Sequence, residues 1–368
     1  MPVPDLFREG LARGWKARDA SRLDQDLTLE ADIAIIGSGA GGATSAELLS
    51  AAGFKVLLIE EGPLKTSSDF HLLEDQAYAS LYQEGIGRMT KDGAITILQG
   101  RAVGGTTLIN WTSSFRTPDP TLQHWASEHG VVGLSSADLA PWFERMEQRL
   151  GIAPWVMPPN ANNDVLKRGC EALNYHWKVI PRNVRGCWNL GYCGMGCPVN
   201  AKQSMLVTTI PATLEKGGEL LYLARAESLV HDGEKISTLQ CVAMDERCVN
   251  PTGRKITVKA HHYVLAGGGI NSPALLLRSD APDPHERLGK RTFLHLVNFS
   301  AGLFKDKVNP FYGAPQSIYA VEAVVDELAL VLGLDPIDVR LKNAASKGTK
   351  SSYGPTYDDI GLIPLLEA

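Results

Sequence analysis

The chain has 368 residues, of which 44% are hydrophobic and 21% charged, as expected for a globular protein of two or three domains. Its net charge of −5 and its pI near 6.0 give no electrostatic basis for binding nucleic acid. No apolar run approaches the roughly 18 residues that a membrane-spanning helix needs, and six cysteines are too few for a disulfide scaffold, so we expect a cytoplasmic protein without a transmembrane segment.

Residues 1–27 predict an N-terminal helical extension. The segment is charged throughout and lacks the apolar centre of a signal peptide. Its apolar residues Leu6, Phe7, Leu11 and Trp15 would form one face of an amphipathic helix. We expect this face to pack on the protein's own surface rather than on a membrane.

The next segment has the order of a nucleotide-binding unit: a β-rich run, a G-x-G-x-x-G sequence, a helix of small residues, a second strand and an acid (Asp32–Ile36, Gly37–Gly42, Ala43–Ala52, Val56–Ile59 and Glu60). In this motif Gly37 permits the tight turn, Gly39 lets the backbone approach a pyrophosphate, and Gly42 lets the helix pack closely on the strand. Glu60 is placed to accept hydrogen bonds from ribose hydroxyls. The pattern predicts an ADP-containing dinucleotide and leaves both FAD and NAD open.

Two further glycine clusters lie at Leu98–Arg116 and His261–Asp280. In the second cluster an apolar strand runs directly into three glycines, and Ser272 with Pro273 predicts the N-cap and first residue of a helix. Two strand–glycine–helix units so far apart in the chain predict a nucleotide-binding domain built from distant segments, residues 28–120 and 220–290.

The three glycine motifs, in this order, resemble the glucose–methanol–choline (GMC) flavin oxidoreductases. They read GxGxxG, then GRxxGGTTxxN, then VLAGGGINSPxLLLxS, and the resemblance covers roughly residues 28–316. It is strongest to the long-chain alcohol oxidase and cholesterol oxidase-like branch. The resemblance implies FAD as the cofactor, an alcohol as the substrate, hydride transfer from its CH–OH group to the flavin, and an electron acceptor that the sequence does not identify.

The resemblance also implies further cofactor-binding residues. Those expected against the flavin, at the adenine and on the pyrophosphate side are Arg101, Gly104, Gly105, Thr106, Asn110, Ala226, Gly267 and Gly268. For Asn110 a second interpretation stays open, namely an asparagine that only stabilises a buried turn.

Cys187, Cys193 and Cys197 lie in one glycine-rich loop. Three thiolates in such a loop could ligate zinc or an iron–sulfur cluster. The alternative is that they are small side chains of a loop in the substrate domain. The spacing is not the paired CxxC of a zinc knuckle and no fourth ligand is near, so we assign no metal.

No catalytic base is assigned. The family's base is a histidine in a motif such as HxxGT, and none of the nine histidines matches it. His261 and His262 precede a strand and are expected at its outer edge, and His295 is expected to be structural.

The chain changes character at Gly313–Gln316. Residues 317–368 predict two helices and resemble the molybdopterin-binding subunit of the xanthine dehydrogenase and aldehyde oxidase family. The expected fold is therefore α/β: a Rossmann-like FAD-binding domain, an inserted and incomplete substrate domain over 121–219 and 291–316, and a helical C-terminal appendage. We expect a truncated chain that binds FAD without turning over alcohols, or a chimeric product; a molybdenum hydroxylase fragment is the weaker alternative.

Overall fold

A computed structural model of the chain describes residues 3–290 and residue 292. The predicted junction at Gly313–Gln316, the helical appendage over 317–368, His295 and most of the 291–316 segment lie outside the described residues. No helix in the described part of the chain has both the length and the apolar character needed to cross a membrane.

The described part of the chain contains eight α-helices and nine β-strands. The helices are α1 (Leu6–Ala12), α2 (Ala40–Ala51), α3 (Glu74–Leu81), α4 (Asp119–His129), α5 (Ser136–Leu150), α6 (Ala161–Leu173), α7 (Thr209–Glu215) and α8 (Gly268–Arg278). The strands are β1 (Lys16–Asp19), β2 (Leu27–Ile36), β3 (Val56–Ile59), β4 (Ile152–Pro154), β5 (Pro181–Asn183), β6 (Glu219–Tyr222), β7 (Ala224–His231), β8 (Ile236–Met244) and β9 (Pro251–Leu265).

In the described part of the chain, the central sheet has the strand order β1-β6-β3-β2-β9-β8-β7. The first five strands in this order (β1, β6, β3, β2 and β9) run parallel to one another. Strands β8 and β7 are each antiparallel to their neighbours. Strand β3 is buried at every residue, which is typical of a parallel strand covered on both faces. The sheet and its helices confirm the predicted α/β class with a Rossmann-like domain.

Distant segments build this sheet. Strand β6 lies between β1 and β3, and β9 lies directly beside β2 with Ile36 opposite Leu265. Strands β2 and β3 come from the first predicted segment of the nucleotide-binding domain, and β7–β9 come from the second.

The N-terminal segment is more than a helical extension. Helix α1 ends at Ala12, and Gly14 turns the chain with a φ of +105°. Trp15 therefore lies outside the helix, and its ring packs edge-on against buried Phe7 with 5.5 Å between centroids. Strand β1 then pairs with β6 at the edge of the central sheet.

The start of helix α8 differs from the prediction. The helix begins at Gly268 with Gly267 as its N-cap, and Pro273 lies inside it. Gly268 has a φ of +85°, so the glycines turn the chain at once and no loop is needed before the helix. The predicted cap at Ser272 is therefore wrong. Helix α2 likewise starts earlier than predicted, at Ala40, with Gly39 as its N-cap.

The described residues divide into two compact units. The larger unit contains residues 3–86, 98–154, 181–290 and 292, and the smaller one contains 87–97 and 155–180. The predicted inserted region 121–219 is thus divided, since α4 and α5 belong to the larger unit and α6 to the smaller. Within the smaller unit, the Lys167 ammonium lies 4.7 Å from the centroid of the Trp177 ring.

Gly42 allows α2 to lie directly on the turn that precedes it. A Cβ at Gly42 would lie 1.9 Å from the Gly37 carbonyl oxygen and 3.1 Å from the Ala266 Cβ. Backbone atoms cannot move away as a flexible side chain could, so this position excludes every larger residue.

We predict that Gly42→Ala lowers the free energy of unfolding by about 1–3 kcal/mol or more, as overpacking does. Gly41→Ala is the matched control, since Gly41 is exposed on the same helix turn and a Cβ there meets nothing within 4 Å. Its stability should be unchanged or higher by up to about 1 kcal/mol. Urea unfolding measures both, and equal stabilities for the two variants would contradict the packing argument.

Candidate cofactor-binding site

Two glycine turns lie side by side at the carboxyl ends of β2 and β9. The Gly37 amide donates to the Ile59 carbonyl at 2.8 Å, and the Ala266 amide donates to the Ile36 carbonyl at 2.8 Å. A Cβ at Gly37, whose φ is +104°, would lie 2.4 Å from the Ala266 oxygen. The first and last glycine motifs thus meet where ligands bind in open parallel sheets.

The second glycine motif, which contains Gly104 and Gly105, reaches the same place. A Cβ at Gly105 would lie 2.8 Å from the Gly39 Cα, so these two backbones are nearly in contact. Gly39 itself caps the N-terminus of α2, and a Cβ there would meet no protein atom within 4 Å. Open space beside a helix N-terminus, where amide groups point outward, fits a pyrophosphate group.

A buried carboxylate lies behind these turns. The side chain of Glu60 is 7% exposed, and its Oε2 accepts hydrogen bonds from the Ser38 amide at 3.0 Å and the Ser38 hydroxyl at 2.5 Å. Its Oε1 accepts from the Gly62 amide at 2.9 Å. Burial raises the pKa of the Glu60 carboxyl, and the hydrogen bonds from Ser38 and Gly62 act in the opposite direction.

Glu60 therefore stabilises the backbone around Ser38 and Gly62, which is a role beyond its predicted contact with ribose. Oε1 accepts one hydrogen bond, from the Gly62 amide, and a carboxylate oxygen has lone pairs for a second. The ribose contact therefore stays a prediction. Ser38, which lies between the first two glycines of the motif, is the partner that the sequence reasoning missed.

The Gly104–Asn110 segment is tied to the same carboxylate. Gly104 and Gly105 have φ values of +103° and +56°, and a 3-10 turn follows over Gly105–Leu108. The Gly104 amide donates to the Ser38 hydroxyl at 2.9 Å. Thr107 Oγ1 donates to the Gly104 carbonyl at 2.6 Å and accepts from the Met205 amide at 3.1 Å.

The other residues predicted in this segment lie around the same turn. The Arg101 backbone is in close contact with Gly62, since a Cβ at Gly62 would lie 2.4 Å from the Arg101 carbonyl carbon. Thr106 is exposed, and its hydroxyl accepts from the Gly100 amide at 3.1 Å. The Asn110 side chain accepts from the Thr112 amide at 3.3 Å, which is the contact of a turn-stabilising asparagine.

Gly267, Gly268 and Ala226 are linked through α8. Gly268 is near the start of the second glycine motif, since its Cβ would lie 3.6 Å from Nε2 of Gln99, which precedes Gly100. Ala226 lies on β7, three strands from β2 in the sheet, and its carbonyl accepts from Arg278 Nη2 at 3.1 Å. Arg278 also donates to the Glu227 carbonyl at 3.2 Å, beside a register shift between Ala226 and Ser228. No local pattern in the sequence marks Arg278 as a partner of Ala226.

The cysteine loop has its own contacts. Asn189 donates its amide to Cys187 Sγ at 3.4 Å, Lys202 donates its amide to Cys197 Sγ at 3.5 Å, and Arg182 Nη2 lies 3.5 Å from Cys193 Sγ. Burial raises the pKa of the Cys187 thiol. Within the described ranges, no three His, Cys, Asp or Glu side chains are grouped as metal ligands.

Comparison with known proteins identifies the family. A model described as GMC oxidoreductase matches residues 78–297, and a model of an NAD(P)-binding Rossmann-like domain matches residues 35–64. The chain belongs to the GMC oxidoreductase family. Members of this family are FAD-dependent oxidoreductases, which confirms FAD as the cofactor of the family to which this chain belongs.

The relatives are considerably longer than this chain. A long-chain-alcohol oxidase of Arabidopsis thaliana is 32% identical over 79% of this chain and 39% of its own length. An uncharacterized GMC-type oxidoreductase of Mycobacterium tuberculosis is 34% identical over 85% of this chain and 51% of its own length. The crystal structure of a pyridoxine 4-oxidase from Mesorbium loti is 21% identical, with a TM-score of 0.48 over 68% of this chain and 52% of that one. The chain thus spans about half the length of these relatives or less.

We predict that Glu60→Gln destabilises the protein by about 1–3 kcal/mol. Donors face both carboxylate oxygens of Glu60, so the amide group of glutamine must turn its N–H bonds toward the Ser38 or the Gly62 amide. Glu61→Gln is the control, because that neighbouring residue is only half-buried and its side chain forms no such hydrogen bonds with the residues that the structure describes. Thermal unfolding compares the three proteins, and a Glu60→Gln variant as stable as the wild type would contradict the network.

Proposed function

We propose that this chain is an FAD-dependent oxidoreductase that acts on the CH–OH group of alcohols. The observation that carries the proposal is the convergence of three glycine turns around Gly39, backed by the buried carboxylate of Glu60, in a chain of the GMC family. Bound FAD supplies the acceptor for the hydride that leaves the alcohol carbon.

The proposed cofactor contacts are those that the family resemblance implies. Gly37, Gly39 and Gly42 with the first turn of α2 hold the pyrophosphate, and Glu60 accepts from the adenosine ribose. The remaining residues form the flavin-facing turn, the adenine contact and the pyrophosphate's second side: Arg101, Gly104, Gly105, Thr106, Asn110, Ala226, Gly267 and Gly268. The open space at Gly39 supports the pyrophosphate assignment most directly.

The proposed substrate class is long-chain primary alcohols. The Arabidopsis relatives are named long-chain-alcohol oxidases, and the sequence resembles that branch together with sterol-oxidising enzymes. Oxidation of a primary alcohol would give an aldehyde, and oxidation of a sterol-like secondary alcohol would give a ketone.

A second candidate is FAD binding without alcohol turnover. It is favoured by the histidines, none of which matches the family's base motif. His231 is engaged at both ring nitrogens: Nε2 lies 2.7 Å from the Ser279 carbonyl and Nδ1 accepts from the Gly233 amide at 3.1 Å. In the described part of the chain we assign no histidine as the base.

We predict that Gly39→Val abolishes FAD retention without unfolding the protein. A Cβ at Gly39 meets no protein atom, and its φ of −68° suits any residue, so valine would intrude only into the space assigned to the pyrophosphate. The flavin absorbance of the purified variant, together with circular dichroism, measures both effects. Gly169→Val is the control, since Gly169 is exposed on α6, lies outside the glycine motifs, and a Cβ there also meets nothing within 4 Å. Full flavin retention in Gly39→Val would contradict the site.

We predict that a long-chain primary alcohol added anaerobically reduces the bound flavin. The visible flavin band should bleach with dodecanol and remain with dodecane, which lacks the hydroxyl group. Bleaching by the alcohol supports alcohol oxidation by this chain. A flavin that stays oxidised, although dithionite reduces it, overturns that proposal in favour of the second candidate.

A further inference from the structure

A buried lysine lies behind the turn assigned to the flavin. Lys202 is 2% exposed, and its Nζ donates to the Leu108 carbonyl at 2.8 Å and the Cys193 carbonyl at 2.9 Å. Within the described ranges its ammonium forms no ion pair with a carboxylate. Lysine is almost never fully buried unless it is paired with an anion, so this position needs an explanation.

A second cation lies beside Lys202. Arg182 is 4% exposed, its Nε donates to Thr112 Oγ1 at 2.8 Å, and its Nη2 lies 3.5 Å from Cys193 Sγ. Burial lowers the pKa of Lys202 to about 8; the Cys193 and Cys197 thiols oppose this shift, and the Arg182 charge adds to it. Holding positive charge here costs free energy, which an anion brought close by a ligand would offset.

The Lys202 segment is attached to the turn at two points. Leu108 ends the Gly105–Leu108 turn, and Thr107 in the same turn accepts from the Met205 amide at 3.1 Å. A Cβ at Gly104 would lie 3.3 Å from the Leu206 amide nitrogen, so the two backbones are also in close contact. Lys202 is therefore directly behind the residues proposed to face the flavin.

We propose that Lys202 is a positioning residue that holds this turn by the Leu108 carbonyl and supplies a buried positive charge favouring the reduced, anionic form of the bound flavin. The inference rests on the proposed function, since it requires FAD against the turn. Charge near the flavin ring is one of the means by which a protein changes the electronic properties of this cofactor.

The test compares Lys202→Gln, Lys202→Arg and wild type as FAD-containing proteins. Glutamine keeps N–H donors for the two carbonyls but removes the charge, whereas arginine keeps the charge. The midpoint potential of the bound flavin, measured by equilibration with a redox dye, gives its preference for the reduced form. We expect Lys202→Gln to weaken this preference at least tenfold, which is about 30 mV for a two-electron couple.

In Lys202→Arg the preference for reduced flavin should stay within threefold of the wild-type value. The same is expected of Lys216→Gln, which removes an exposed lysine of the same unit. If Lys202→Gln purifies without flavin, titration with oxidised and with reduced FAD gives the same preference as a ratio of dissociation constants. The inference is overturned if the Lys202→Gln variant prefers reduced flavin to within threefold of wild type. It is also overturned if the preference of the Lys202→Arg variant is as low as that of the Lys202→Gln variant. A wild-type protein that binds no FAD would instead refute the proposed function itself.

Discussion

Backbone segments approach one another so closely at the carboxyl ends of β2 and β9 that side chains are excluded from several positions. Gly37 touches the Ala266 carbonyl, Gly42 touches the Gly37 carbonyl, and Gly105 touches Gly39. The first of these contacts joins the first and last glycine motifs, the second lies within the first motif, and the third joins the second motif to the first. The parallel pairing of β2 with β9 is what brings the first and last motifs together, so the position of α2, the turn at Gly104 and the start of α8 all depend on this approach.

Close packing of backbones removes water from polar groups, and those groups must then be satisfied within the protein. The Ser38 hydroxyl does this for two segments at once, because it accepts from the Gly104 amide and donates to Glu60. Glu60 in turn accepts from Gly62, just beyond the end of β3. A carboxylate is suited to this position because both of its oxygens accept, while the surrounding backbone presents donors. The acid of the nucleotide-binding motif therefore also holds the protein's own turns together.

Local sequence was sufficient to predict the existence and order of β2, α2 and β3, because the hydrophobic runs, the glycine spacing and the terminal acid all lie within one short segment. It was sufficient for the α/β class for the same reason. It failed where distant parts of the chain decide the outcome. Strand β1 exists because β6 offers it a partner at the sheet edge, and no local pattern in residues 16–19 indicates this.

The same limit applies to the site. The glycines could be named from the sequence, since only glycine tolerates such close contacts. Ser38, Arg278 and Lys202 could not, because their importance lies in partners that are remote in the chain: Glu60, Ala226 and Leu108. The start of α8 was misplaced for a different reason. Ser272-Pro273 has the residue types of a helix N-cap and first helical position, but the helix already begins at Gly268, after the turn at the preceding glycines.

The Gly104–Leu108 turn also shows how charge is matched to backbone direction. At its beginning the Gly104 amide points to Ser38 and, through its hydroxyl, to the carboxylate of Glu60. At its end the Leu108 carbonyl points to the ammonium of Lys202. Peptide dipoles place partial positive charge at the amide end of a helical turn and partial negative charge at the carbonyl end, so both ends face a charge of the opposite sign. The turn is held in this way at both ends and Leu108 is buried in the core, so its exposed side carries only small residues such as Gly105 and Thr106. This is the side that is proposed to face the flat cofactor.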